Sequence, residues 1–333
     1  MTFLQIAAGF ILLLLGAEFL VRGAVALARR LEVSPMVIGM TVVAYGTTAP
    51  ELVVSLEAAL TGVPAIAVGN VIGSNIANIL LILGAAAVIY PIACKPGALK
   101  RDGAVMLGAA VLMVVLGLTG AITAVQGAVM LFALITLTLY AYWSERRNSA
   151  SRSERRNSAS ADLLSREAEE FAEWPRSLWP SLLAVIGGIA SVVFGAQILV
   201  ASAVELARDF GISEAVIGLT LVAVGTSLPE LATAAVAAYR RHPDIAIGNV
   251  VGANTYNILA ILGVVSMVEP LTIPAQIVGF DIWFMLAATI LLLAMILVRG
   301  GLSRAVGAGF LAVYGLYLVA EYTGIAAGVT IAG

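Results

Sequence analysis

Charged residues, cysteine and histidine are all scarce in this chain. Only 11% of the 333 residues are charged and 61% are hydrophobic, more apolar surface than a soluble domain of this length could bury. The single cysteine, Cys94, excludes an intrachain disulfide and a cysteine metal cluster. The single histidine, His242, lies in a basic loop beside Pro243, where we expect a solvated side chain without a role. These shortages leave a membrane protein as the best-supported class.

Long apolar runs recur along the sequence and predict an all-α polytopic membrane protein. A β-barrel is excluded because its segments would be short and alternating. No basic segment precedes the first run, so we expect that run to be a retained span and not a signal peptide. We predict ten spans, each long enough to cross a bilayer, at residues 3–28, 35–60, 65–90, 103–119, 122–143, 179–206, 214–239, 244–268, 277–298 and 303–322.

One long polar segment, residues 144–178, separates the first five spans from the last five. It contains SERRNSAS twice, at 144–151 and 153–160. Serine, arginine and asparagine without apolar periodicity cannot build a core, so we predict a disordered linker. The chain is thereby divided into a first unit, 1–143, the linker, and a second unit, 179–333.

The two units are copies of each other. GMTVVAYGTTAPEL and GNVIGSNIANILLILG in the first unit correspond to GLTLVAVGTSLPEL and GNVVGANTYNILAILG in the second, always 179 residues later. A unit of five spans has an odd number of crossings, so its copy must be inserted with the opposite orientation. The sequence therefore predicts two inverted five-helix repeats, the plan of many secondary transporters.

Basic residues are distributed unevenly between the two sets of loops. Sixteen of the 18 lysines and arginines fall in the loops on one side of the predicted topology, and that side includes the long linker. By the positive-inside rule this side is cytoplasmic. We therefore predict a cytoplasmic linker and both termini outside.

Each repeat places a glutamate directly after a proline inside an apolar span. Pro50 lacks an N–H group and must open the helix before Glu51, which frees carbonyl groups around residues 44–47. Thr47 and Thr48 add hydroxyl oxygens within the same turn. The second repeat has the same chemistry, with Thr226, Ser227, Pro229 and Glu230. An ionisable group at this depth indicates a functional site, and a site built only from oxygen suits Ca²⁺ or Na⁺.

The following motif adds polar side chains at a similar depth. Ser74 and Asn78 lie four residues apart on one helix face, and the short connection at 61–64 makes the two helices antiparallel neighbours. With Asn257 from the second repeat, we expect two carboxylates and two amides to converge at mid-membrane. A structural role remains open for both pairs: protonated, hydrogen-bonded glutamates, or asparagines that join helices.

These motifs closely resemble the α-repeats of the cation/Ca²⁺ exchanger superfamily, in particular its prokaryotic Na⁺/Ca²⁺ exchanger branch. The H⁺-coupled branch has Asn-Ala-Thr before the glutamate, whereas this chain has Thr-Thr-Ala-Pro and Thr-Ser-Leu-Pro. The resemblance implies a central Ca²⁺ site at Glu51 and Glu230, and first and sixth spans that slide to alternate access. It also implies flanking Na⁺ sites at Ala44, Thr47, Thr48 and Ser74, and at Ala223, Thr226 and Ser227. Two positions depart from the pattern: Ala253 replaces a serine, and Asn257 stands where some relatives have aspartate.

The resulting hypothesis is an antiporter that exchanges Na⁺ for Ca²⁺ across a prokaryotic cytoplasmic membrane. It predicts no enzymatic activity, no permanently bound cofactor and no nucleic-acid partner, and a monomer should suffice. The nearest rival function is an H⁺/Ca²⁺ (or other divalent cation) antiporter on the same scaffold. An intramembrane hydrolase that uses the glutamate pair is a second rival, and a cation channel is a third.

Overall fold

The computed structural model describes residues 2–31, 33–94, 96–153, 178–210 and 223–322. In these ranges the regular structure is helical apart from four strands of two residues each, and short turns and loops connect these elements. The helices are α1 (Thr2–Arg30), α2 (Pro35–Thr47), α3 (Ala49–Leu60), α4 (Pro64–Ile89), α5 (Pro96–Thr119), α6 (Ala124–Ser153), α7 (Leu178–Asp209), α8 (Ala223–Gly225), α9 (Leu228–Tyr239), α10 (Pro243–Val268), α11 (Ile277–Arg299) and α12 (Arg304–Tyr322). The strands are β1 (Ile92–Ala93), β2 (Ala121–Ile122), β3 (Leu271–Thr272) and β4 (Gly301–Leu302).

Eight of the described helices are long and apolar enough to cross a membrane, and the bent pair α2–α3 gives a ninth candidate span. The predicted all-α polytopic class is therefore confirmed. The remaining predicted span, 214–239, begins at residues outside those described and continues as α8 and α9. Large apolar side chains on the outer helices are exposed, as lipid contact requires, and they include Phe10, Phe194 and Leu316.

Helix α6 extends further than the sequence pattern predicted. We expected disorder from residue 144, but the helix continues to Ser153 and takes in the first SERRNSAS copy. Alanine, arginine and glutamate propagate a helix readily, so an existing span can continue into this polar segment without apolar periodicity. The rest of the predicted linker, 154–177, lies outside the described residues.

Helices α1 and α7 pack against each other along most of their length. Glycines make this close contact possible, because a Cβ atom at Gly16 would lie 2.7 Å from the backbone nitrogen of Val192. At Gly188 it would lie 2.6 Å from the backbone nitrogen of Leu20. Small residues allow such close backbone approach between membrane helices. The two helices therefore form one packed pair.

The most deeply buried spans are α4 and α10, which occupy the centre of the structure. Each changes from α-helical to π-helical winding at an asparagine, at Asn78–Ile82 in α4 and Asn257–Leu262 in α10. Helix α10 also packs closely on α2, where Gly248 and Gly252 contact the backbone of Met36 and Met40. Such π-helical turns are rare and frequently mark functional sites.

The short strands join the two repeats. Strand β1 pairs with β4 in an antiparallel register, Ile92 opposite Leu302, and β2 pairs with β3, Ala121 opposite Thr272. Strand β3 is the repeat image of β1, 179 residues later, so each pair links one unit to the other.

An ionic cluster connects the α1–α7 pair to the end of α9. Arg22 donates to Glu18 Oε1 at 2.5 Å along α1, and Arg240 donates to Glu18 Oε2 at 2.8 Å from the end of α9. All three side chains are partly exposed. The cluster fixes where α9 ends beside α1.

The glycine contacts predict a sharp difference between two adjacent positions. Gly188→Ala should destabilise the protein by roughly 1–3 kcal/mol, because the new Cβ would clash with the backbone of α1. Gly187→Ala is the matched control, since no described atom lies within 4 Å of a Cβ at that position. Thermal unfolding in detergent should show a lower midpoint for Gly188→Ala alone. Equal midpoints would contradict the close packing of α1 on α7.

Candidate cation-binding site

Both glutamates lie in the first turn of a half-helix. Helix α3 begins at Ala49 after a 41° bend from α2, with Pro50 at one of its first two positions and Glu51 in the first turn. Helix α9 repeats this start, with Pro229 followed by Glu230. A helix N-terminus carries a partial positive charge and favours a carboxylate there. The proline-induced break predicted from the sequence is therefore present in both repeats.

Each carboxylate is almost fully buried, and hydroxyl groups from the other repeat lie beside it. Glu51 and Glu230 are each 1% exposed. Thr48 Oγ1 lies 3.3 Å from Glu230 Oε1, and the Ser227 hydroxyl is a hydrogen-bonding neighbour of the Glu51 carboxylate. Glu230 also has Thr47 as a hydrogen-bonding neighbour. The two broken spans thus complete each other across the centre of the protein.

The carbonyl of Ala44 is more fully bonded than the sequence predicted. We expected free carbonyl groups before Pro50, but Ala44 O accepts both the backbone N–H of Thr48, at 3.0 Å, and its hydroxyl, at 2.6 Å. Thr47 Oγ1 lies 3.4 Å from the same oxygen. These hydroxyls are additional to the ordinary helical donor of Ala44 O, since the carbonyl that loses its donor to Pro50 is that of Gly46. A cation at Ala44 would have to displace one of these groups.

Asn78 and Asn257 stand where the π-helical turns begin, and each is 1% exposed. Their amide nitrogens donate at 2.9 Å, Asn78 to Asn254 Oδ1 and Asn257 to Asn75 Oδ1. Their amide oxygens accept nothing within the described structure. The turn that begins at Asn78 packs against α9, the helix of Glu230, and the turn at Asn257 packs against α3, the helix of Glu51.

Five buried side-chain oxygen atoms have no hydrogen-bond partner among the described residues, and all but Glu321 Oε1 belong to this candidate site. The four at the site are Glu51 Oε2, Glu230 Oε2, Asn78 Oδ1 and Asn257 Oδ1. Buried polar atoms are normally satisfied, so unpaired atoms of one kind need an explanation. A cation bound at this site would give each of the four oxygens a partner.

The chemistry of this donor set favours a hard cation. No group of three or more histidine, cysteine, aspartate or glutamate side chains occurs in the described ranges, so the set is limited to two acids and neutral oxygens. Burial, and next the charge of Asp244, raises the pKa of Cys94 to about 11, so this thiol stays protonated at neutral pH. Carboxylate, amide and hydroxyl oxygens suit Ca²⁺ and Na⁺.

The remaining predicted site residues differ in how deeply they are buried and in what they contact. Ser74 is buried, and its Oγ lies 3.5 Å from Ser227 Oγ of the other repeat. Thr226 is partly buried. Ala223 begins the short helix α8, and its side chain lies outside the described part of the chain. Ala253, which replaces the usual serine, is fully buried and packs with Ala44 and Tyr256.

Four asparagines near this site were not among the site residues predicted from the sequence. Asn75 and Asn254 contact the two predicted asparagines directly. Asn70 Nδ2 donates to Ser55 Oγ at 3.0 Å, and its repeat mate Asn249 accepts from Thr47 Oγ1 at 3.3 Å. All four lie at equivalent positions of the repeated GN..G.N..N motif. That repetition was a usable signal, because buried amides at the same place in both copies are costly unless paired.

The chain matches known proteins over nearly its whole length. The family described as "Sodium/calcium exchanger protein" matches residues 1–143 and 180–323. CaxA of Alkalimonas amylolytica is 38% identical over 297 residues, which cover 89% of this chain and 90% of CaxA. Inner membrane protein YrbG of Escherichia coli is 38% identical over 269 residues, covering 79% and 78% of the two chains. The solved structure of the sodium-calcium exchanger NCX_Mj superposes with a TM-score of 0.81 at 31% identity, covering 96% of this chain and 98% of that one.

One difference between the repeats leads to a stability prediction. Asn249 Nδ2 has no partner in the described structure, and Ala234 stands where the first repeat has Ser55. Ala234→Ser should therefore stabilise the protein by about 1 kcal/mol by giving Asn249 an acceptor, and Ser55→Ala should destabilise it by a similar amount. Thermal unfolding of both variants checks the pair. A lower midpoint for Ala234→Ser would show that the serine is not accommodated beside Asn249.

Proposed function

Because this chain belongs to the sodium/calcium exchanger family, we propose that it is a secondary antiporter that exchanges Na⁺ for Ca²⁺ by alternating access. Its family makes it a membrane transporter of the cation/Ca²⁺ exchanger type and not an enzyme, and such a transporter needs no resident cofactor. The proposal adds the coupling ion and the residues that bind the ions. The observation that carries it is the group of four buried oxygens without donors.

In this proposal the central Ca²⁺ is held by Glu51 and Glu230, with the amide oxygens of Asn78 and Asn257 as neutral ligands. The two carboxylates neutralise one divalent cation. Na⁺ ions bind on either side, with ligands from Ala44, Thr47, Thr48 and Ser74 in one set and from Ala223, Thr226 and Ser227 in the other. The positions of Thr48 beside Glu230 and of Ser227 beside Glu51 support this arrangement, because each set of ligands reaches one carboxylate of the pair.

Charge explains why exchange would be obligatory. Two ionised glutamates without cations would carry two uncompensated charges through a poorly solvated interior, at a cost of several kcal/mol for each. One Ca²⁺, or a set of Na⁺ ions, removes this cost. The loaded protein can then change the side to which the site opens, whereas the empty one cannot.

The proposed topology has ten spans in two inverted repeats, units 1–143 and 179–333, with the termini outside and the linker 144–178 in the cytoplasm. The strand pairs support it, because β1 and β4 lie in loops predicted on the cytoplasmic side, and β2 and β3 in loops predicted on the opposite side. The chain is a multi-pass membrane protein, and the inner membrane location of YrbG supports the same location here. Since one chain supplies both halves of the site, a monomer would be sufficient.

The function is tested with purified protein in liposomes loaded with Na⁺. On dilution into Na⁺-free medium, radiolabelled Ca²⁺ should accumulate, and it should not accumulate when liposomes without Na⁺ receive a pH gradient alone. Liposomes without protein are the control. Uptake driven by the pH gradient in the absence of Na⁺ would replace this proposal with H⁺/Ca²⁺ exchange on the same scaffold.

The carboxylate pair gives a direct mutational prediction. Glu51→Gln and Glu230→Gln should each weaken Ca²⁺ binding by about 3–5 kcal/mol, more than roughly 100-fold, since one charge cannot neutralise a buried divalent ion. Glu57→Gln, on the exposed side of the same helix α3, should transport Ca²⁺ like the wild type. Initial rates of Na⁺-driven uptake over a range of Ca²⁺ concentrations provide the measurement. Wild-type uptake by either site variant would mean that the glutamates are structural.

A further inference from the structure

Four asparagines form a hydrogen-bonded cluster where the two repeats meet. Asn75 and Asn254 are repeat mates, 179 residues apart, and they exchange equivalent bonds. Asn75 Nδ2 donates to Asn254 O at 3.3 Å, and Asn254 Nδ2 donates to Asn75 O at 3.1 Å. Both residues are buried. Because each contacts its own mate, the pseudo-two-fold axis of the repeats passes between them.

The backbone carbonyls determine which way these amides face. A carbonyl oxygen can only accept, so Asn254 must turn its NH₂ group toward Asn75 O. Its own Oδ1 then lies on the other side, where it accepts from Asn78 Nδ2 at 2.9 Å. Asn78 must therefore present its NH₂ group to Asn254. Its Oδ1 is left pointing away from Asn254, with no donor among the described residues.

The same chain of constraints operates in the other half. The backbone oxygen Asn254 O accepts from the NH₂ group of Asn75, so Asn75 Oδ1 lies on the other side. There Asn75 Oδ1 accepts from Asn257 Nδ2 at 2.9 Å. Asn257 Oδ1 is then left without a donor in the described structure. Each amide of the candidate site is thus oriented by a residue of the opposite repeat. A rotation of either amide by 180° would place two oxygens against each other and an NH₂ group where the oxygen without a donor now lies.

We propose that Asn75 and Asn254 are positioning residues, which hold the Asn78 and Asn257 amides with oxygen toward the cation and nitrogen away from it. This inference rests on the proposed function, since it assigns no ligand of its own. Residues that orient metal ligands typically contribute 10- to 100-fold to metal affinity. Without Asn254, the Asn78 amide loses the acceptor that selects its orientation, and an N–H dipole facing the site would repel a cation. The arrangement also ties the ligand of one repeat to the geometry of the other.

The first measurement is equilibrium binding of Ca²⁺ to purified protein, which does not depend on transport. Asn254→Ala should weaken Ca²⁺ binding roughly 10- to 100-fold. Thr255→Val is the matched control, because among the described residues the Thr255 hydroxyl bonds only to Val251 O of its own helix. The Ca²⁺ affinity of this variant should be unchanged. The thermal midpoint of each variant is measured in parallel. Unchanged affinity in a folded Asn254→Ala protein would overturn the inference.

A double-mutant cycle separates positioning from a general structural effect. In Asn78→Ala the oriented amide is already gone, so adding Asn254→Ala should weaken Ca²⁺ binding by less than about threefold further. In Asn257→Ala the same second change should keep most of its 10- to 100-fold effect, because Asn257 is oriented by Asn75. A general structural defect caused by Asn254→Ala would weaken Ca²⁺ binding equally in the Asn78→Ala and Asn257→Ala backgrounds. Equal additivity in the two cycles would therefore contradict a positioning role.

The equivalent variant of the other repeat, Asn75→Ala, keeps the inference testable if Asn254→Ala does not fold. Asn75→Ala should couple to Asn257→Ala and not to Asn78→Ala, the reverse of the first pattern. Asn254→Ser, which removes less volume, provides a third variant for the first cycle. If the wild type binds Ca²⁺ and these variants bind it equally well, the positioning role fails while the proposed function stands. If the wild type binds no Ca²⁺, both fail.

Discussion

The structure depends on the burial of two carboxylates where water is largely absent. Glu51 and Glu230 are each 1% exposed, and in the described ranges their polar contacts are hydroxyl groups and backbone, with no ion pair to a cationic side chain. Placement in the first turn of a half-helix gives each glutamate a favourable helix dipole. Hydroxyl groups of the other repeat lie beside each carboxylate. These contributions are partial, and one oxygen of each carboxylate still lacks a donor in the described structure. In the proposed function a transported cation supplies the counter-charge, which connects the fold to exchange.

The rest of the described architecture serves to bring two equivalent half-sites together. Proline opens α2–α3 and the start of α9, threonine and serine hydroxyls reach the opposite glutamate, and asparagines of α4 and α10 bond across the pseudo-two-fold axis. Neither repeat alone would hold its polar groups in this arrangement. The packed pair of α1 and α7 lies beside this centre and contacts it through buried apolar side chains such as Leu20 and Val185, and through one ionic cluster. Tight packing in the centre and a separate helix pair beside it are consistent with movement of one body against the other.

Much of this could be predicted from the sequence, because the strongest signals are local and occur twice. Apolar length predicted the spans, and the Pro-Glu step predicted the helix breaks before Glu51 and Glu230. What could not be predicted depends on contacts between distant segments. Ala44 O has a hydroxyl partner because the side chain of Thr48 folds back on it, and Asn254 matters because its mate lies across the axis. The continuation of α6 to Ser153 was also missed, since the end of a helix depends on its neighbours as well as on composition.

The most direct test of this account is efflux from vesicles preloaded with radiolabelled Ca²⁺ at constant pH. If the empty glutamate pair cannot change sides, efflux into choline medium without Na⁺ and Ca²⁺ should be close to that of protein-free vesicles. Addition of either Na⁺ or unlabelled Ca²⁺ outside should start rapid efflux, because each ion neutralises the returning site. Equally fast efflux in choline medium alone would show that the unoccupied site crosses freely, and would contradict the central claim that the buried charge enforces exchange.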